Sequence, residues 1–433
     1  MIRIDLTHAR ARFLFLTAMI WLAGIFVFIA VKAWIASRWD SSPNPALWLR
    51  AAKLEPDNAS YWQHAGLNEQ WDLSNGDPQK AIVYLRRATE INPRSDKLWM
   101  ELASAYENVG DGVSARQAYV KAKQVHPISA DVAWRYGSFL LREGDLQSGF
   151  IEIRRALLND PSLTANAMSE CWKANPDVNA ILNTALPAGE DYYVVAINFL
   201  LGKLQLDAAL AVWSKLMTFS VHIKMAQAIP LVDALIDYDR VADAERVWRH
   251  ALKLTNWPEE RTEHNSVIFN GGFENKPADG GFDWREQSTS SVSFALDTSV
   301  FHSGRQSMRV RFDGSTNVNF MHLLQYVHGG PVQRYHFSAY LRTEAIGTDS
   351  GVRFLIYDPI HPTKIQIVTP NMVGTNPWTA VNVDVTPPAD TDLLVIALRR
   401  IPSWKFDNKL RGTAWVDDVS LVPLRESPLD SSR

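Results

Sequence analysis

Residues 96–127 read DKLWMELASAYENVGDGVSARQAYVKAKQVHP, and the same landmarks recur on both sides of them. Proline falls at Pro93, Pro127 and Pro161, and glycine at Gly76, Gly110 and Gly144, each series at a spacing of 34. Ala88, Ala122 and Ala156 keep that period, as do Ala81, Ala115 and Gly149. Trp62, Trp99 and Trp134 fall early in each unit. Small residues let two antiparallel helices approach closely. Glycine permits the turn between them, and proline stops one hairpin before the next begins. A single hairpin cannot bury its apolar face alone, so the units must stack.

The period and the order of Trp, Gly, Ala and Pro resemble the tetratricopeptide repeat. Residues 60–161 hold three copies, and Pro56 closes a partial one before them. Beyond residue 162 the landmarks thin. LLGKLQLDAALAVWSKLM (200–217) and DYDRVADAERVWRHALKL (237–254) still keep second-helix character, with Ala244 and Ala251 in phase. Residues 45–255 are therefore predicted as one all-α, right-handed solenoid. The resemblance implies a groove for a protein or peptide partner. Trp62, Trp99 and Trp134 are read as packing residues, and His64 and His126 as surface or capping residues.

Residues 13–31, FLFLTAMIWLAGIFVFIAV, run 19 positions without a charge. At about 1.5 Å per residue they span about 28 Å, close to the hydrocarbon thickness of a bilayer. That is longer than the apolar stretch of a cleaved signal, so a retained transmembrane anchor is expected over 13–36. Trp34, Trp39 and Lys32 suit its far interface. Arg3, Arg10 and Arg12 precede the span against Asp5 alone, and Lys32 and Arg38 follow it. The positive-inside rule then makes residues 1–12 a cytoplasmic tail and the rest periplasmic, on a single-pass bacterial inner-membrane protein.

The 433 residues are enough for two or three domains. A composition 46% hydrophobic and 21% charged is that of a globular chain, and a net charge of −3 leaves no footprint for nucleic acid. The one cysteine, Cys171, excludes an intrachain disulfide and reads as a half-buried helix residue. No P-loop, dinucleotide fingerprint, HExxH or GxSxG occurs. Once anchor, solenoid and the following domain are assigned, no segment of enzyme size remains. The chain is expected to be non-catalytic; a glycan hydrolase or lyase hidden in the last domain is the weak alternative.

TNWPEERTEHNS (255–266) breaks the helical period, and from 266 to 424 alternation of period two takes over. SMRVRF sets Met308, Val310 and Phe312 against Arg309 and Arg311, and RYHFSAYLR sets Tyr335, Phe337, Ala339 and Leu341 against His336, Ser338, Tyr340 and Arg342. Nine or ten such strands predict an all-β sandwich or jelly roll, with residues 425–433 a flexible tail. NGGFE (270–274) is expected to open the first strand and to meet WVDDVSL (415–421).

NGGFE, GFDW, FHSGRQSMRV, PWTAVNVDVTPPADTDLLVIAL and AWVDDVSL occur in the order seen in carbohydrate-binding modules of the family 4/9/22 jelly-roll type, which this segment resembles. The resemblance implies a structural calcium ion held by Glu274 and Asp417, with Asp418 as the alternative. A solvent-facing carboxylate pair without metal is the other reading. Sugar recognition needs aromatic rings with polar neighbours; the candidates are Tyr340, Arg342, Tyr357 and Trp404. Trp284 and Trp378 read as structural. Arg309, Arg311, Arg342 and Arg353 are expected on one open face, either solvated or meeting an anionic polysaccharide or a protein. The combination implies a membrane-anchored envelope scaffold, with a protein partner on the solenoid and glycan or a second partner on the sandwich, in exopolysaccharide assembly or export. A polysaccharide receptor is the alternative.

Overall fold

The computed structural model describes residues 9–72, 74–219, 223–255, 265–329 and 334–424. The expected tail at 425–433, and most of the expected tail at 1–12 and of the linker at 255–266, lie outside these residues. Two compact units divide the chain, residues 1–187 and 188–433.

The first unit is helical. Helix α1 (Ala9–Asp40) is continuous, and it is long and apolar enough to cross a membrane. It is followed by α2 (Pro45–Leu54), α3 (Ala59–Trp71), α4 (Pro78–Ile91), α5 (Asp96–Asn108), α6 (Gly112–Val125), α7 (Ala130–Arg142), α8 (Leu146–Asn159), α9 (Thr164–Ala174) and α10 (Val178–Ala180), which runs on into a π turn, Ile181–Ala185. The three repeat copies are the hairpins α3–α4, α5–α6 and α7–α8. Each of these six helices starts on a cap whose oxygen accepts a backbone N–H, as Asp77 does from Gln79 and Asp145 from Ser148.

The period-34 residues act much as their chemistry predicts. Ala81, Ala115, Ala88 and Ala122 are fully buried. A Cβ added at Gly149 would stand 2.6 Å from Leu141 Cδ2, so α7 and α8 touch only because that side chain is absent. Gly110 and Gly144 take left-handed φ values of +76° and +81°. Gly76 is different: it is needed for close approach, because a Cβ there would stand 2.5 Å from the carbonyl oxygens of Glu69 and Asp72. The tryptophans are half-buried; Trp62 and Trp99 donate Nε1–H to the carbonyls of Pro56 and Pro93, pinning the preceding turn. His64 and His126 pair with Asp40 and Asp96, each at 2.8 Å. At the end of α1, Ala36 is fully buried in a cluster with Ala51, Ala52 and Tyr61, and Trp39 packs on it. Trp34 stays 67% exposed.

The second unit opens with two more hairpins, α11 (Glu190–Gly202) with α12 (Leu206–Leu216) and α13 (Met225–Asp237) with α14 (Val241–Thr255). Ala244 and Ala251 are fully buried, as their phase predicts.

Among the described residues ten strands follow, in two antiparallel sheets. They are β1 (Arg285–Glu286), β2 (Val292–Asp297), β3 (Ser307–Asp313), β4 (Phe320–His328), β5 (Tyr335–Ile346), β6 (Arg353–Tyr357), β7 (Gln366–Val368), β8 (Gly374–Val385), β9 (Leu393–Arg400) and β10 (Arg411–Pro423). The first sheet has the order β1-β4-β9-β6-β7 and the second β2-β3-β10-β5-β8. The inward residues of both form one core, including Met308, Val310, Phe312, Phe337, Ile356 and Ile396.

NGGFE is not the first strand. Asn270 and Phe273 have φ of +51° and +54°, which breaks any strand alternation. The segment instead threads between the sheets. Val267 N–H donates to the Leu421 carbonyl and Val419 N–H to that of Gly271, at the bulge of β10. Buried Gln325 pairs with both backbone groups of Phe269. The Trp284 ring packs tilted against Phe273, and its Nε1–H donates to the Asn270 carbonyl, so GFDW and NGGFE lock one end of the core.

The last helical hairpin docks on this end. Asp233 of α13 accepts from Gly281 N–H and Arg285, each at 2.7 Å, and Glu245 of α14 meets His328. Trp248 is 4% exposed, with its ring edge against Phe269.

Candidate functional site

The outer face of the first sheet follows from strand alternation. On β9, Leu394, Ile396 and Leu398 enter the core, so Val395, Ala397 and Arg399 face outward. On β6 the outward residues are Arg353, Leu355 and Tyr357, and on β4 they are Leu324, Tyr326 and His328.

Register arranges them in rows. Tyr326, Val395, Tyr357 and Gln366 form one row across β4, β9, β6 and β7. Leu324, Ala397, Leu355 and Val368 form the next. Arg399 and Arg353 oppose each other in a third. The face thus carries two half-exposed tyrosines, an apolar floor and a pair of guanidinium groups. Burial raises the Tyr357 hydroxyl pKa, and Tyr326 nearby adds to it. Arg285 lies 4.8 Å over the Tyr326 ring and is itself held by Asp233.

The four sequence candidates for sugar contact do not converge. Tyr357 is on this face. Tyr340 and Arg342 are on β5 in the other sheet, and both are already partnered. His302 stacks on Tyr340 at 3.5 Å, and Arg342 lies 5.4 Å over Trp415. Trp404 stands fully exposed on the loop between β9 and β10. Trp284 is fully buried, as read, and Trp378 is half-buried with its edge against His302. The four arginines expected on one face are split. Arg309, Arg311 and Arg342 belong to the second sheet and Arg353 to the first, because strand order places β6 away from β3 and β5. Tyr326, Arg285 and Arg399 were missed. Their alternation was readable, but their shared face was not.

The three carboxylates read as a metal clamp converge on one loop, residues 302–306. Asp417 Oδ2 accepts from His302 N–H at 2.7 Å and Ser303 N–H at 3.2 Å. Glu274 Oε1 accepts from Arg305 N–H at 2.7 Å and Gln306 N–H at 3.3 Å, and Oε2 meets Arg305 Nε at 3.2 Å. Asp418 accepts from Ser303 Oγ, and His302 Nδ1 lies 2.6 Å from its other oxygen. Burial pushes the Asp417 carboxyl up to about 6, with Asp418 adding to the shift. The oxygens that would hold calcium face N–H groups of the loop. Among the described residues no three His, Cys, Asp or Glu side chains gather as ligands. As arranged, the set fits a hydrogen-bonded clamp better than a metal cage.

The class is that of a helical-repeat protein joined to a two-sheet β-sandwich, with one apolar N-terminal helix. No family model and no curated relative matches the chain. Solved structures similar to it include tetratricopeptide proteins and carbohydrate-binding modules. The MamA protein is similar over 44% of this chain and 90% of its own, at 15% identity and a TM-score of 0.28. YrrB, described as a TPR protein with an unusual peptide-binding site, covers 47% of this chain and 81% of its own at 14% identity and a TM-score of 0.25. A CBM4 structure covers 36% of this chain and 99% of its own at 16% identity and a TM-score of 0.26. Likeness at this level says nothing about ligand or activity.

Proposed function

We propose that the chain is a non-catalytic, membrane-anchored envelope scaffold. The helical hairpins bind a protein partner and the sandwich binds a glycan, in the setting of exopolysaccharide assembly or export, with the soluble units on the periplasmic side of a bacterial inner membrane. The observation that carries the glycan part is the row Tyr326–Val395–Tyr357 beside an apolar floor. The half-exposed Tyr357 ring suits stacking on a sugar face, and Tyr326, with Arg285 over its ring, flanks it two strands away, about 10 Å. The exopolysaccharide setting and the protein partner rest on the combination of anchor, hairpins and sandwich.

The full chain in non-ionic detergent, run on affinity gels of neutral and acidic glycans, tests this. Retardation should occur on at least one glycan and should fall about tenfold in Tyr357→Ala, a loss of about 1.4 kcal/mol. Unchanged retardation in the Tyr326→Ala/Tyr357→Ala double variant counts against the face. Capture of no envelope protein by the tagged chain counts against the scaffold role. We assign the Glu274, Asp417 and Asp418 clamp a structural role. Calcium or chelator should leave the melting temperature unchanged; a calcium-dependent rise of several degrees would put an ion there.

A further inference from the structure

We propose that the outer face of the first sheet selects carboxylated polysaccharide over neutral chains, using the guanidinium pair Arg353 and Arg399. This rests on the glycan reading above and adds the charge class of the ligand.

The two arginines are direct cross-strand partners on β6 and β9 and share the outward face. Like charges placed opposite each other are destabilising unless something neutralises them. Three other arginines of the sandwich are neutralised: Arg305 by Glu274, Arg309 by Asp297 and Arg334 by Asp384. Among the described residues neither Arg353 nor Arg399 meets a carboxylate. Arg399 donates to the side-chain oxygen of Asn319 and to the carbonyls of Phe320 and Arg400. Arg353 reaches only Ser350 Oγ, at 3.3 Å, and its Nε is buried without a partner. Asp349, an acid on an adjoining loop, is taken by Ser403 and Lys405. Burial lowers both guanidinium pKa values, and for Arg399 the charge of Arg353 adds to the effect. Both groups still stay protonated, since arginine does not lose its charge in proteins.

A carboxylate between them would accept hydrogen bonds from both and relieve their repulsion. The spacing suits a chain. From Tyr357 to Arg353, and from Val395 to Arg399, the same strand face runs four residues, about 13 Å. Leu355 and Ala397 make the apolar floor between. One sugar ring can stack on Tyr357 while the acid group of a sugar further along meets the arginines.

The test uses the full chain in non-ionic detergent on affinity gels of polygalacturonate, alginate and carboxymethylcellulose. Methyl-esterified pectin and hydroxyethylcellulose serve as uncharged counterparts. An acidic polymer should bind at least tenfold tighter than its uncharged counterpart at low salt, and the difference should shrink as salt rises. Arg353→Gln with Arg399→Gln should abolish the preference for the acidic polymer over its uncharged counterpart, and the double Lys variant should keep part of it. Near-ultraviolet circular dichroism checks folding of each variant. Equal binding of charged and uncharged forms overturns the inference and leaves the glycan reading intact, as does a preference that survives the Gln pair. Binding of no polymer, charged or neutral, overturns both.

Discussion

Removing Trp248 should loosen the joint between the last helical hairpin and the sandwich. Its ring is 4% exposed, with Phe269 edge-on at 5.5 Å and Phe282 at 6.3 Å between centroids. Truncating a buried tryptophan to alanine costs about 3–5 kcal/mol, and each edge-to-face contact contributes about 0.5–1.5 kcal/mol of that. In a unit of this size the melting temperature should fall by about 10 °C. Gly281 supplies a sharper version of the test. Its φ is +58°, and a Cβ there would stand 2.5 Å from the Trp248 ring. Gly281→Ala alone should therefore cost about 1–2 kcal/mol of left-handed strain and about 1–3 kcal/mol of overpacking. In the Trp248→Ala background the ring is gone and only the backbone strain remains. The double variant should be about 1–3 kcal/mol more stable than the sum of the single losses predicts. Differential scanning calorimetry of the full chain measures all four proteins, and hydrogen exchange in α14 and β4 locates the opening. Additivity within about 0.5 kcal/mol, or protection in α14 unchanged by Trp248→Ala, would refute the joint.

Three further outcomes follow from single sites. Asp283 is fully buried, and burial pushes its carboxyl from the ordinary 3.8 to about 7. The folded state then holds the proton more tightly than the unfolded chain, so this group's stabilisation is complete below about pH 4 and is lost as pH rises through about 7, about 4 kcal/mol in all. Urea unfolding across that range should show a slope in the wild type that Asp283→Asn removes; equal slopes would refute it. Gly149→Ala gains about 1 kcal/mol of helix propensity but drives a Cβ to 2.6 Å from Leu141. Overpacking of about 1–3 kcal/mol should win, and a raised melting temperature would show that α7 and α8 have slack. Arg400 is fully buried and donates to the carbonyls of Ser350, Val318 and Asn408 and to Asn317 Oδ1. Arg400→Met strands those acceptors and should cost at least about 3 kcal/mol, read by urea unfolding; a loss below about 1 kcal/mol would mean that water replaces the bonds.

Much of the architecture was legible because helices and strands write their periods locally. The 34-residue spacing placed Ala81, Ala115 and Gly149 at helix contacts, and the alternation in SMRVRF and RYHFSAYLR assigned inward and outward faces correctly. NGGFE misled because its glycines and aromatic suggest a strand start, whereas two left-handed residues turn it into a plug between the sheets. The candidate binding face was only partly legible. Tyr357 was picked out, but its neighbours Tyr326 and Arg399 were not.

Sequence alone determined most of the helices and strands, NGGFE excepted, and which side of each strand faces the core, since these depend on residues a few positions apart. Tertiary structure alone decided which strands lie side by side. β9 pairs with β4 and β6, so Tyr326 and Tyr357 flank Val395, and Arg353 leaves the arginines of β3 and β5 to meet Arg399. Those neighbours are set by hydrogen-bonded pairing between segments far apart in the chain, and every strand carries the same backbone donors and acceptors. The pairing is therefore settled by how the whole core packs.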